Sequence, residues 1–299
     1  MKVPSTGARP AAGAGGAANF LNNSPASRPG TADRAGNVGD RTDNRSDRTD
    51  NRGDRTDNRS DNRSNRQDNR PDRVENRGER TENRSSRRDE VRNQFHDHHP
   101  RHDFWKDNPN WARWRLNRPY RWATYAAVSG FFNWGSEPVY YEYGDNIYYE
   151  GDQVYYGDEA VASTEEYAQQ AQTIAESAPP LDEASEWMSL GLFAITQDDE
   201  ASGPPPTLFI QLVINKQGLI AGTFTNDATD KSDAVEGMID TKTQRSAWTI
   251  EGKQWPVMET GISNLTKDTA PVLVHFEDGQ TQQMLLVRMD EPEEGAAAQ

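Results

Sequence analysis

The sequence predicts a mainly β protein with a disordered amino-terminal third, a small aromatic β-meander plus helix, and a carboxy-terminal antiparallel barrel or sandwich of about eight strands. Three observations support this. Residues 39–73 contain no apolar side chain, residues 104–156 hold five of the eight tryptophans and nine of the ten tyrosines, and from residue 187 apolar residues recur with a period of two.

Composition also argues against a single globule. The chain has 299 residues, 27% of them charged, and a mean hydropathy of -1.02, which is too polar for one continuous core. We therefore expect four parts: a spacer rich in Arg, Asp and Asn (residues 1–103), an aromatic module (104–180), a β domain (181–290) and a tail rich in acidic residues and alanine (291–299).

Charge is distributed unevenly along the chain. Residues 157–299 hold 7 basic and 25 acidic side chains, a net charge of -18, so phosphate would be repelled and we expect no nucleic-acid partner. Absence of cysteine excludes disulfides and thiolate chemistry. No apolar run is long enough to span a bilayer, and the start of the chain has no apolar core of a signal peptide.

The amino-terminal repeat places an arginine every three or four residues from Arg41 to Arg84. In a helix, Arg41 would lie beside Arg45 and Asp43 beside Asp47, which are unfavourable like-charge pairs. In an extended chain, each arginine instead lies near a carboxylate. The repeat therefore predicts a neutral, hydrated, disordered spacer that holds the folded part away from an anchor.

A histidine cluster follows the repeat. Imidazoles at this density can bind a borderline divalent cation such as Zn²⁺, although a polar linker explains the same composition. The candidate metal ligands are His96, His98, His99 and His102.

The aromatic module begins with tryptophans interleaved with arginines. Tryptophan and arginine side chains in this pattern can stack on bases, sugars or lipid headgroups. The same pattern is also typical of cation-π pairs packed within a fold. The candidate partner surface, including one tryptophan of the β domain, consists of Trp111, Trp114, Trp122, Tyr141, Tyr148, Tyr155 and Trp248.

Three short tyrosine-rich runs at 139–143, 146–149 and 153–156, separated by Gly-Asp turns, predict the meander. Ser163 and Glu166 form a capping-box pattern at the start of the helix that follows, which Pro179 and Pro180 end. Because this core is thin, we expect the module to dock on the β domain.

Within the β domain, eight candidate strands are separated by turn sequences. They span 187–196, 207–215, 219–226, 233–240, 246–251, 257–263, 271–277 and 281–289. The order GLIAGTF, VEGMID and SAWTI resembles avidin-like barrels, which leaves open a ligand-binding interior beside a filled one. His275 lies on the face opposite Val272, so we expect it to face solvent or an edge.

The sequence contains no phosphate-binding loop, nucleophile elbow, HExxH motif or His/Ser/Asp set. We therefore expect no enzyme activity and no cofactor.

Several stretches together resemble a family of planctomycete cell-surface proteins described as mu-protocadherin-like. They are RPYRWATYAAVSGFF, PVYYEYGDNIYYEGDQVYY, EEYAQQAQTIAES, QLVINKQGLIAGTF, TKTQRSAWTI, PVLVHF and TQQMLLVR. The resemblance implies export to the cell surface and supplies no catalytic residues. It also leads us to expect a true start upstream of Met1, where a signal peptide would lie.

The sequence thus predicts a non-enzymatic, exported surface protein whose spacer presents a β domain to an envelope component or another protein. The alternatives are a small-ligand-binding barrel and a cytoplasmic protein that buffers metal through its histidines.

Overall fold

The computed structural model describes residues 70–98, 121–135, 137–180, 186–198 and 200–291. In these ranges the helices are α1 (Arg70–His98), α2 (Tyr125–Phe131) and α3 (Thr164–Glu176). A small sheet contains β1 (Ile147–Glu150), β2 (Gln153–Tyr156) and β3 (Glu159–Ser163). The larger sheet contains β4 (Trp187–Gln197), β5 (Leu208–Asn215), β6 (Leu219–Asn226), β7 (Lys231–Asp240), β8 (Arg245–Ile250), β9 (Val257–Gly261), β10 (Thr269–His275) and β11 (Thr281–Arg288).

Strands β4 to β11 form a closed antiparallel barrel in which each strand pairs with its neighbours in sequence. Pairing of β11 with β4, from Met284 opposite Gln197 to Arg288 opposite Phe193, closes the ring. Of the two predicted architectures, barrel and sandwich, the barrel is the one formed. The predicted strands agree closely with the observed ones, because alternation of apolar residues and turn chemistry both mark them locally.

The barrel interior is filled by apolar side chains. Phe193, Ile210, Trp248, Val272 and Leu286 are each at most 1% exposed and belong to one packed cluster. One end is covered by α2, whose Val128 joins that cluster.

Arg288 helps to close the same end by donating to the carbonyls of Ala123, at 3.1 Å, and Thr266, at 2.9 Å. Its aliphatic stem fits there because Gly191 in the β4 bulge has a φ of 145° and no Cβ, which would lie 2.9 Å from Cδ of Arg288.

Helix α1 corrects the prediction of disorder for residues 70–98. The rest of the predicted spacer, including the repeat at residues 41–61, lies outside the described residues. Val91 and Phe95 of α1 pack on outward-facing residues of the barrel such as Phe209, Leu285 and Val287. This apolar contact supplies the tertiary packing that an isolated polar helix lacks.

Arginines of α1 add specific polar contacts to the barrel. Arg84 binds both carboxylate oxygens of Asp198, at 2.5 and 2.6 Å, and Arg87 donates to Thr196 and to the carbonyls of Gly203 and Pro204. Arg92 donates to the Arg288 carbonyl at 2.7 Å. The like-charge repulsion expected along the helix is therefore offset, because these guanidinium groups meet acceptors on the barrel.

The small sheet and α3 cover another part of the outer wall, as expected for a module that docks on the β domain. Ser163 and Glu166 form the predicted capping box at the start of α3. The meander prediction was wrong in one place, since residues 139–143 form no strand of the sheet and its third strand is β3. Within this segment, Val139 and Tyr141 instead make hydrogen bonds to the end of the barrel, through Gln244, Thr243 and Asn264.

None of the helices in the described ranges combines the length and the apolar character needed to cross a membrane.

Replacing Arg84 with alanine should lower the free energy of unfolding by about 3 kcal/mol, because Asp198 is 1% exposed and would keep a buried charge without its bidentate partner. Arg88→Ala is the matched control, since Arg88 on the same helix pairs with the exposed carboxylates of Asp89 and Asp268 and should cost about 0.5 kcal/mol or less. Urea unfolding followed by circular dichroism measures both. Equal losses in the two variants would contradict the role assigned to the Arg84–Asp198 pair.

Candidate functional site

The predicted histidine ligands do not form a site in the described residues. His96 lies on α1, with Nε2 3.1 Å from a carboxylate oxygen of Asp290. The side chain of His98, together with His99 and His102, lies outside the described residues. Within the described ranges no three His, Cys, Asp or Glu side chains are grouped so as to hold a metal ion.

The structure buries most of the described aromatic residues that were predicted to form a partner surface. Tyr141 and Trp248 are each 1% exposed, which makes their assignment to a surface wrong. Tyr148 and Tyr155 stack on each other at 5.3 Å between ring centroids and are each 9% exposed. Trp248 packs in the apolar cluster of the barrel interior, and Tyr141 packs in the cluster that the small sheet forms with Leu273 of the barrel wall.

Trp122 is half-buried, and its indole N–H donates to the Met289 carbonyl at 2.8 Å. It packs against the cluster of α1 and the outer barrel wall, so it belongs to an internal contact. Trp111 and Trp114 lie outside the described residues.

A group of three fully buried ionisable side chains lies between the barrel and the aromatic module. Arg245, Glu259 and His275 occupy outward-facing positions on β8, β9 and β10, and all three side chains are 0% exposed. Helix α3 and the small sheet cover them. The name ionic cluster is used below for these three residues with Tyr167 and Gln170 of α3.

Hydrogen bonds connect the ionic cluster across the interface. Nε of Arg245 donates to Glu259 at 2.5 Å, and Nη2 of Arg245 also pairs with that carboxylate. The guanidinium donates further to the Tyr167 carbonyl, at 2.9 Å, and to the Gln170 side chain, at 3.2 Å, and it lies 3.9 Å from the Tyr167 ring centroid. The barrel wall is thereby bound to both the backbone and a side chain of α3.

His275 extends the ionic cluster on the other side of Glu259. Its Nε2 lies 3.3 Å from Oε1 of Glu259, and its Nδ1 lies 2.9 Å from the Thr281 hydroxyl. The prediction that His275 faces solvent was therefore wrong. It does lie on the outer face of β10, as the alternation indicated, but the aromatic module covers that face.

The pKa values in the ionic cluster move in the directions that favour charge pairing. Burial raises the pKa of Glu259, but Arg245 and His275 outweigh burial and hold that pKa below its usual value. Burial lowers the pKa of Arg245, and the nearby Glu259 carboxylate raises it above its usual value. Arg245 and Glu259 are therefore both charged at neutral pH.

Four tyrosines around the ionic cluster have raised pKa values. Burial is the main cause for Tyr141, Tyr143, Tyr149 and Tyr167, since a phenolate would lose its hydration there. The protonated phenols are thus the stable forms in the folded protein.

A glutamate, a histidine and an arginine in contact could in principle support proton transfer. Here each is sealed from solvent, and a general base must reach the proton that it removes from a substrate. We conclude that the ionic cluster holds the aromatic module against the barrel and does not act as an open catalytic centre.

A strap formed by residues 137–143 completes this interface. Gln244 accepts from the Val139 amide at 3.0 Å, Tyr141 donates to the Thr243 carbonyl at 2.9 Å, and Asn264 donates to the Tyr141 carbonyl at 2.8 Å. Gly261 permits this approach, because a Cβ at that position would lie 2.4 Å from the Tyr141 ring.

Sequence reasoning missed the ionic cluster because its members come from four separate elements. The available signal was an ionisable residue at an outward position on each of three successive strands, where an isolated barrel would expose them to water. That pattern alone does not distinguish a solvated face from a covered one.

An open groove lies on the outer face of β6 and β7, beside Pro179 and Pro180 at the end of α3. Its volume is about 370 Å³. Its carboxylates come from Asp233, Glu236 and Glu251, and the described residues that line it include no Lys, Arg or His. We name it the acidic groove.

Replacing Glu259 with glutamine should lower the free energy of unfolding by about 3 to 5 kcal/mol at neutral pH, because Arg245 would remain buried without a counter-charge. The lowered pKa of Glu259 stabilises the folded state above its unfolded pKa of about 4.3, and this contribution is lost as the pH falls through the folded pKa.

The Glu259→Gln variant should accordingly lose less stability than the wild-type protein between neutral and acidic pH. Urea unfolding over a pH series tests this. Glu277→Gln, at an exposed position beyond β10, is the control and should change stability by at most about 0.5 kcal/mol. Parallel pH profiles for wild type and Glu259→Gln would contradict the assigned ion pair.

Alkaline pH should unfold the protein with a coupled release of phenolic protons. The raised pKa values of Tyr141, Tyr143, Tyr149 and Tyr167 leave stability intact below the unfolded pKa of about 10, and stability is lost as the pH rises toward the folded values. Ultraviolet titration of tyrosinate, with circular dichroism in parallel, measures this. Ionisation of all ten tyrosines while the fold persists would contradict their burial.

Comparison with known proteins finds no family model, no curated protein and no solved structure that matches this chain. The resemblance to mu-protocadherin-like surface proteins therefore stays a prediction that depends on the quoted sequence stretches.

Proposed function

We propose that the protein is a non-enzymatic interaction protein of the cell surface, in which the barrel is a rigid platform and the acidic groove binds a cationic segment of another protein. The observation that carries this proposal is the contrast between the sealed ionic cluster and the open acidic groove. The ionisable side chains at the interface hold the fold together. In the groove, Glu236 accepts from the Gly252 amide at 3.0 Å, and Asp233 and Glu251 are exposed to a partner.

The alternative function, a barrel that encloses a small ligand, is less well supported. Ligand-binding barrels need interior volume, and the interior here is occupied by Phe193, Trp248 and their neighbours, with α2 over one end. A filled barrel is suited to presenting its outer surface.

The acidic groove has the features of a recognition surface for a positively charged, extended segment. Leu219 and Ala221 form an apolar part of its floor, and Asp233 and Ala234 are exposed at its rim. The net charge of -18 on residues 157–299 would draw a cationic partner toward this half of the chain. Charge complementarity therefore selects a cationic partner over an acidic one.

Location at the cell surface is supported by the family resemblance of the quoted stretches. Fractionation of cells with an antibody to the β domain tests it. Recovery with the envelope fraction is the expected result, and recovery only in the cytosol would overturn the location without affecting the binding proposal.

Photo-crosslinking tests the acidic groove in the full-length protein. A photoreactive residue at Ala234 should capture a partner on cells, whereas the same residue at Gln280, in an exposed turn, should not. Charge reversal by Asp233→Lys with Glu251→Lys should abolish the adduct, and raised salt should weaken it. Equal adducts at both positions, or an adduct that survives charge reversal, would refute the groove as the binding surface.

A further inference from the structure

A second cleft, separate from the acidic groove, lies where α1 meets the turn at residues 142–145 and the start of β10. Its volume is about 190 Å³. Four basic residues line it, together with two carboxylates and the hydroxyl-bearing Thr81 and Thr269. The charged residues of this arginine cleft are Arg77, Arg80, Arg84, Lys267, Glu142 and Asp145.

Three of the four basic residues have a close carboxylate partner. Arg84 is bound at both oxygens by Asp198. Arg77 lies 3.3 Å from Asp145, and Lys267 lies 3.1 Å from Glu142. These three pairs are close to electrically balanced.

Arg80 differs from the other three. It donates to the Gly144 carbonyl at 3.0 Å, and in the described part of the chain it has no carboxylate within ion-pair distance. Among the described residues, four cations therefore face three carboxylates, which leaves one positive charge at the cleft. Of the five N–H donors of a guanidinium, the Gly144 carbonyl uses one.

The position of Arg80 is set by the backbone of the turn. Gly144 has a φ of 79°, and a Cβ there would lie 3.4 Å from Nη1 of Arg80, so the guanidinium packs closely against the turn. A guanidinium held by a neutral carbonyl keeps its full charge. Its planar set of donors is suited to two parallel hydrogen bonds with an oxyanion.

We propose that the arginine cleft binds one tetrahedral oxyanion of the phosphate or sulfate class, with Arg80 as its principal ligand and Lys267 as a second cation. Donors lie on α1, on the loop before β10 and on Thr269, so they approach from several directions, which suits a tetrahedral group better than a planar carboxylate. The cleft volume and the single surplus charge fit one such group. A long polyanion would meet the net negative charge of the barrel half and is disfavoured.

Titration of the full-length chain with inorganic phosphate, followed by the backbone amide signals of Gly144 and Lys267, tests the site. Sodium chloride at matched ionic strength is the reference. We expect saturable shifts with a dissociation constant of about 0.1 to 10 mM. Sulfate should compete, and acetate should bind more weakly.

Arg80→Gln should weaken phosphate binding by about tenfold or more, because a charged hydrogen-bond donor is lost. Arg88→Gln, on the same helix but outside the lining of the cleft, is the matched control and should bind as the wild type does. If Arg80→Gln fails to fold, Arg80→Lys decides the question: it keeps the charge, loses the planar donors and should bind with intermediate affinity.

Two further probes distinguish the source of the anion. Glucose 6-phosphate represents a soluble ester, and phosphatidylglycerol vesicles represent a lipid headgroup, with phosphatidylcholine vesicles as the control. Arg80-dependent binding of either supports the site and identifies the source. Shifts equal to those from sodium chloride, shifts that persist in Arg80→Gln, or acetate binding as tight as phosphate would overturn the proposal.

Discussion

The barrel wall carries apolar side chains on both of its faces, and the rest of the structure depends on this constraint. Closing the ring buries the inner face, including Phe193 and Trp248, but leaves residues such as Phe209 and Leu273 on the outside. Exposed apolar area of that extent is unfavourable in water. Helix α1, helix α3 and the small sheet therefore pack around the barrel, and each contributes its own apolar cluster.

Covering the outer wall also buries charged groups, and two oppositely charged pairs form there. Arg245 and Glu259 neutralise each other beneath α3, and Arg84 neutralises Asp198 beneath α1. Buried ion pairs add little net stability, because desolvation offsets their attraction. The ion pairs instead fix the position of each helix along the barrel wall. If α1 or α3 packed in a shifted position, a buried charge would lose its partner. The covering layers are thus held in one position, and the acidic groove and arginine cleft form at their edges.

Local sequence patterns predicted the elements that neighbouring residues determine, namely the barrel strands and the start of α3. Strands β4 to β11 were predicted to within a few residues, and the Ser163 capping box correctly marks the start of α3. Errors occurred where a distant element changes the environment. Tyr141 and Trp248 were assigned to a surface, and His275 was expected to face solvent, because a single strand cannot show whether another layer covers it. Helix α1 was missed for the same reason.

The sequence by itself determined the number and order of the barrel strands, the capped helix and the uneven distribution of charge, because periodicity, turn residues and charge are properties of neighbouring residues. Tertiary structure alone decided that the ring closes, that its interior is filled and that Arg245, Glu259 and His275 meet. Arg84 and Asp198 are 114 residues apart in the chain, so only packing of the two elements could bring their charges together. The same packing places Arg80 at the edge of α1, where the described part of the chain offers it no carboxylate within ion-pair distance.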